Sequence, residues 1–204
     1  MNALLAHVHQ KYAYLPRLEV LTGRIAALLD PDDRVLDVGC GSGMLGASLA
    51  SRIPGLVVEG AETHPRGGEG IKVHGYAGGP LPFPDNAYDA VILADVLHHD
   101  RDPIALLKEC ARVARRKVIV KDHLKHGWIS NLRISALDWA ANQPYGVECL
   151  YTYWTEGEWR EMFAAVSLEV ASFETPLSIY HPIFDWLFGG GIHFIAVGQK
   201  RSIQ

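Results

Sequence analysis

The chain has 204 residues, 49% of them hydrophobic and 21% charged, with a formal net charge of −4. That length and apolar content suit one globular domain with a sizeable core. The weakly acidic balance argues against non-specific binding of polyanions, so nucleic acid is not expected as a partner.

In chain order, Pro16 stands where a helix can begin, and Leu18, Leu21, Ile25, Leu28 and Leu29 follow at helical spacing. Asp30-Pro31-Asp32-Asp33 stops that helix. Arg34–Val38 reads as a short buried strand that runs into a glycine-rich turn, and Met44–Ser51 as the next helix. Leu56–Ala61 is a second strand ending at Glu62, and Ile71–His74 a short third. Tyr88–Leu93 is an apolar strand suited to the middle of a sheet. Asp102-Pro103 opens a helix to about Ala114, with Ile104, Leu107, Cys110, Ala111 and Val113 facing inward. Lys117–Lys121 is the fifth strand. Residues 123–152 interrupt the alternation and read as an insertion with one helix near Ile129–Ala141. Thr155 and Glu158 form a capping box that opens a helix to about Val166. Leu168–Phe173 and His193–Val197 are the last strands, joined by a loop with Tyr180, His181, Phe184, Trp186 and Phe188.

Strand and helix alternate, so an α/β fold with a mostly parallel sheet is expected. The three cysteines, Cys40, Cys110 and Cys149, are odd in number and widely spaced. They suggest neither a disulfide framework nor a CxxC metal site, and they fit a reducing, cytoplasmic setting. Met1–Gln10 shows no secretory leader, and no run approaches the roughly 18 apolar residues of a membrane span.

The strongest local signal is Val35-Leu36-Asp37-Val38-Gly39-Cys40-Gly41-Ser42-Gly43, a strand running straight into glycines and a helix. Glycine permits the sharp turn and a close ligand approach. Glu62, at the end of the next strand, is placed to accept both ribose hydroxyls. Gly41, Gly43 and Gly46 also satisfy the dinucleotide fingerprint G-x-G-x-x-G. Asp37 weighs against that reading, because a pyrophosphate prefers bare amides to a nearby carboxylate. A ligand with an ammonium group and a sulfonium favours the acid.

On these residues the chain resembles the class I S-adenosylmethionine-dependent methyltransferases. Residues 35–43, Glu62, and LPFPDNAYDAVILADVLHH at 81–99 match the family's successive motifs. KDH at 121–123 and DWAANQPYGV at 138–147 are similar to a bacterial, type 11-like branch. The resemblance implies a Rossmann-like, doubly wound seven-stranded sheet of order 3-2-1-4-5-7-6 with the last strand antiparallel. It also implies one domain: a helical segment 1–33, a cofactor core 34–121, an acceptor cover 123–152, and a helix and hairpin 153–204. It places Asp37, Gly39, Cys40, Gly41 and Gly43 along the methionine part of S-adenosylmethionine, and Glu62 with Thr63 at the ribose. Tyr76 stands where the family carries an acid near the adenine. Asp95, Val96 and Leu97 follow the fourth strand, between the cofactor and the acceptor.

Methyl transfer needs alignment, and a base only where the acceptor must lose a proton. His98 and His99, after the fourth strand, are base candidates, or else cap the next helix. Asp122 and His123 end the fifth strand, where catalytic groups collect; alternatively Asp122 caps the following segment. Tyr145, Tyr151, Tyr153 and Trp154 either wall an acceptor pocket or pack the insertion. His7 with His9, and His98 with His99, are too close in sequence for a helical ligand pair, so no metal is expected. The expectation is a cytoplasmic enzyme, monomer or homodimer, that methylates a small-molecule or lipid-like acceptor. An NAD(P)-dependent oxidoreductase and a non-catalytic S-adenosylmethionine-binding protein are the alternatives.

Overall fold

The computed structural model describes residues 14–65, 70–128, 130–135, 150–179 and 191–200. The elements, in chain order, are α1 (Leu15–Ala26), β1 (Arg34–Val38), α2 (Met44–Arg52), β2 (Val57–Glu62), β3 (Lys72–Gly75) and β4 (Tyr88–Ala94). A 3₁₀ turn (Leu97–His99), α3 (Pro103–Val113), β5 (Ala114–His123), α4 (Glu156–Ala165), β6 (Leu168–Glu174) and β7 (His193–Lys200) follow.

The seven strands form one sheet in the order β3-β2-β1-β4-β5-β7-β6, as the resemblance implied. Neighbours from β3 to β5 are parallel, and β7 runs antiparallel to both β5 and β6. Apolar runs with few breaks form the central strands because both faces of a parallel sheet are covered by helices. Successive residues point to opposite faces. Leu36, Val38, Val91, Leu93, Val118 and Val120 therefore join Leu107, Trp159 and Phe163 of α3 and α4 in one core. Val35, Ala90, Ile92 and Ile119 join Leu21, Ile25 and Leu49 of α1 and α2 in the other. The same alternation carries on into polar residues at the end of β5. Lys121 and His123 continue the face of Ile119, and Asp122 continues the face of Val118 and Val120.

Local chemistry sets the helix starts. Asp102 accepts a hydrogen bond from the Ala105 amide at 3.0 Å, and Pro103 fills the first turn of α3, where its missing N–H is not needed. The Thr155–Glu158 capping box forms as the sequence indicated, with the Thr155 amide donating to Glu158 Oε2 at 2.7 Å.

Three expectations are corrected. β5 runs from Ala114 to His123, longer than Lys117–Lys121, because pairing with β7 extends its ladder as far as His123 opposite His193. β7 likewise reaches Lys200. Ile104 faces outward at 45% exposure, and Leu106 takes the inward place in α3, since Ile104 lies in the first turn beyond the core. Residues 130–135 of the expected insertion helix are helical. The rest of that helix beyond 135, His7, His9, Tyr145, Cys149 and the aromatic loop from Tyr180 to Phe188 lie outside the described residues. Among the described residues no helix is long and apolar enough to cross a membrane.

Candidate cofactor and acceptor site

The functional candidates lie on one edge of the sheet because β1, β2, β4 and β5 are parallel and all end there. In the turn after β1, Gly39 has φ +69°, and its amide donates to Ala61 O at 2.8 Å. A Cβ on Gly39 would lie 2.6 Å from Val96 Cγ2, so the residue after β4 packs where only glycine fits. Gly41 (φ +56°) differs, because a Cβ there meets nothing within 4 Å and points into open space above the turn. Gly43, also at positive φ, caps α2, and the half-buried thiol of Cys40 lies between the glycines and β2.

Glu62 reaches back across this turn. Its Oε2 accepts the Gly41 amide at 2.8 Å, and its Oε1 accepts the Thr63 hydroxyl at 3.2 Å and the His64 amide at 3.1 Å. Tyr76 follows β3, its amide donates to the Glu62 backbone carbonyl at 3.2 Å, and its ring packs against the core. Burial, then the nearby negative groups, push the Tyr76 phenol up to about 12.

Asp37 is 2% exposed, and its Oδ2 has no hydrogen-bond partner among the described residues. Burial and the negative Glu62 push its pKa up to about 7. A buried carboxyl oxygen left unpaired is costly and calls for a cationic or hydrogen-bonding ligand. The open space over Gly41, the unmet acid below and Glu62 alongside fit an amino-acid sulfonium attached to a ribose.

Beyond β4, Asp95 sits at φ +58°. Its carboxylate pairs with Arg17 of α1 and takes Lys121 Nζ at 2.5 Å, while its amide donates to Lys121 O at 2.8 Å. Burial alone would raise its pKa, but the charges of Lys121, Arg17 and His123 outweigh it and hold Asp95 well below the carboxylate range. Asp95 thus anchors two cations, while Val96 packs on Gly39 and Leu97 is wholly buried.

His98, Asp122 and His123 come together. His98 Nδ1 lies 2.6 Å from Asp122 Oδ1, which also accepts the His123 amide at 2.8 Å. The His123 ring stands edge-on to His98, and the half-buried His99 ring is 4.0 Å from that of His98. Tyr153 closes one side at 5.8 Å from His98 and 6.1 Å from His123. Burial would raise the Asp122 pKa, but the surrounding imidazoles turn the shift downward. Burial lowers the His123 pKa.

Sequence reasoning missed Arg17, Lys121 as a buried group, and His193. His193 faces His123 across the β5–β7 pair, with its Nδ1 3.4 Å from Lys121 Nζ. A lysine continuing the apolar run Val118–Val120 was the signal available for Lys121. Nothing in the sequence announces the other two, because the β7 register and the placement of α1 bring them in.

Comparisons with known proteins bear on the family and the fold. The family described as "Methyltransferase domain" matches residues 7–172, well over half of the chain. A ubiquinone biosynthesis O-methyltransferase from Cereibacter sphaeroides is 30% identical over 119 residues, covering 48% of this chain and 47% of that protein. One from Hahella chejuensis is 32% identical over 111 residues, covering 48% and 44%. The chain thus matches about half the length of these relatives. The Burkholderia thailandensis 1,6-didemethyltoxoflavin-N1-methyltransferase, solved with S-adenosylhomocysteine, shares the fold at a TM-score of 0.66 and 16% identity, covering 91% of this chain and 79% of that one. Magnesium protoporphyrin IX methyltransferase from Synechocystis shares it at 0.63 and 17%, covering 98% and 89%. By family match and sheet order together, the chain belongs to the methyltransferase-domain family of class I S-adenosylmethionine-dependent methyltransferases.

Proposed function

We propose that this chain is a methyltransferase that moves the methyl group of S-adenosylmethionine to an oxygen of a small-molecule acceptor. The observation that carries the reading is the buried Asp37 carboxyl, unpaired at Oδ2 beneath the glycine turn and next to Glu62. When bound, the cofactor supplies a sulfonium-activated methyl group to an in-line displacement.

Asp37, Gly39, Cys40, Gly41 and Gly43 hold its amino-acid end, Glu62 and Thr63 its ribose, and Tyr76 lies against its base. Asp95 fixes Arg17 and Lys121, and with Val96 and Leu97 it shapes the wall between cofactor and acceptor. His98 takes the proton of the acceptor hydroxyl, and Asp122 orients the imidazole and balances its charge. His99 and His123 flank that pair. A hydroxyl acceptor suits a site that has a base in place, and it agrees with the O-methyltransferases among the relatives. The relatives act in ubiquinone biosynthesis, which favours an aromatic acceptor, lipid-like or free.

Thermal shift tests the cofactor. S-adenosylhomocysteine should raise the melting temperature and NAD should not. Labelled methyl transfer into a small-molecule extract, abolished by Asp37→Ala, tests the enzyme. Stabilisation by NAD alone would reverse the assignment to an oxidoreductase. Cofactor binding without transfer into any fraction would leave a binding protein.

A further inference from the structure

We propose that His98, Asp122 and His123 form a binding site for one divalent transition-metal ion on the acceptor side of the sheet edge. One ligand atom from each of the three residues lies within 4.8 Å of the other two. All three are at least nine-tenths buried. Asp122 Oδ2 and His123 Nδ1 have no hydrogen-bond partner among the described residues, although both are shut away from water. Unpaired buried polar atoms are uncommon and each needs a cause. Here two of them belong to two of the three potential ligands, and one ion between them answers both.

The donor set identifies the ion. Two imidazoles and one carboxylate suit zinc, cobalt or iron(II), whereas calcium and magnesium prefer all-oxygen surroundings. Three protein ligands leave a coordination position open, as catalytic sites do and structural ones do not. Asp122 Oδ1 already meets His98 Nδ1 at 2.6 Å, so Oδ2 is the carboxylate oxygen left for the ion. Asp95 Oδ1, 3.6 Å from His123 Nδ1, supplies a carboxylate just outside the ligands. The ligands come from the turn after β4 and the end of β5, 24 residues apart, so no ligand-spacing motif appears in the sequence.

The site bears on the acceptor, and this part rests on the methyl-transfer reading. Asp95 already holds Arg17 and Lys121, so a divalent ion adds positive charge to the edge. With the ion bound, His98 would serve as a ligand rather than as the base, and the open position would favour an acceptor hydroxyl acidified by the ion over an amine.

The test uses the full chain, stripped with EDTA and titrated with Zn²⁺ or Co²⁺ with neither cofactor nor acceptor present. One equivalent should be retained through gel filtration, with Co²⁺ showing the strong visible bands of a low-coordinate ion. Asp122→Asn and His98→Gln should each weaken retention about tenfold or more, and His126→Ala, at an exposed position, should leave it unchanged. X-ray absorption on the zinc-loaded wild-type chain needs no variant to fold and should count two imidazoles. No retained equivalent, retention untouched by both cluster variants, or zinc without imidazole ligands overturns the site. Metal binding is read without methyl transfer, so each proposal can fail while the other stands.

Discussion

Lys121 Nζ and Asp95 Oδ1 lie 2.5 Å apart at the ends of adjacent parallel strands, with the lysine side chain wholly out of contact with water. The lysine has no route to solvent, so the carboxylate is what keeps its charge inside the sheet. Burial lowers the Lys121 pKa, and Asp95 opposes the fall.

Removing one partner of such a pair strands the other. Asp95→Asn should cost about 3–5 kcal/mol, the range for breaking a buried ion pair. Lys121→Met should cost less, because Arg17 remains on Asp95. Urea unfolding of the two single variants and the double variant should give a double variant less damaged than the sum. Strict additivity would show that the pair does not couple.

Asp37 gives a pH dependence whose sign follows from its raised pKa of about 7 against an ordinary 3.8. The folded chain keeps this proton where the unfolded chain has lost it. Its contribution is therefore fully present below about pH 4 and is lost as pH rises to about 7. The loss amounts to about 4 kcal/mol at 1.4 kcal/mol per unit. Asp37→Asn should remove this dependence and be more stable than the wild type at pH 8. Melting temperatures of both chains from pH 5 to 8 check it. Binding of S-adenosylhomocysteine, which brings an ammonium group, should tighten over the same interval in the wild type alone.

Two glycines in one turn should respond differently to alanine. Gly39→Ala meets Val96 at 2.6 Å and should be destabilised by more than the 1–2 kcal/mol of left-handed backbone alone. Gly41→Ala meets nothing and should show only that backbone cost, yet it projects a methyl group into the open space proposed for the cofactor. Calorimetric titration with S-adenosylhomocysteine should find Gly41→Ala well folded and weakened in binding. Unchanged affinity in that variant would place the cofactor elsewhere.

His98→Gln and Asp122→Asn should lower kcat by about 10²–10⁴-fold while leaving the KM for S-adenosylmethionine near that of the wild type, as expected for groups that handle a proton. Steady-state kinetics with any hydroxyl acceptor found by extract labelling provides the check. A rise in KM for the cofactor with kcat intact would move both residues to the cofactor side.

The candidate cofactor edge was readable from sequence because each of its parts is local. The strand at Arg34–Val38, its glycines and Glu62 lie close together in the chain, and the strand period fixes where each points. The capping residues Asp102 and Thr155 were legible for the same reason. The candidate acceptor edge was less so. His98 and Asp122 were picked out as members of two separate pairs, but their contact depends on how β4 and β5 are set side by side. His193 joins them only through an antiparallel register, and Arg17 only through the docking of a helix 78 positions away in sequence from Asp95. Ile104 was misjudged because helical spacing fixes the direction of a side chain but not where the sheet beneath it stops.

The bond from the Gly41 amide to Glu62 makes the chain its own template. A loop whose curvature is already fixed by an internal carboxylate loses little freedom when a guest arrives, and that entropy is withheld from the cost of association. A ribose bound as proposed would share Glu62 Oε2 with the Gly41 amide, and Oε1 with the Thr63 hydroxyl and the His64 amide. Entry and departure of the nucleoside should therefore proceed by exchange of hydrogen bonds at the Glu62 carboxylate, with little change in the glycine turn.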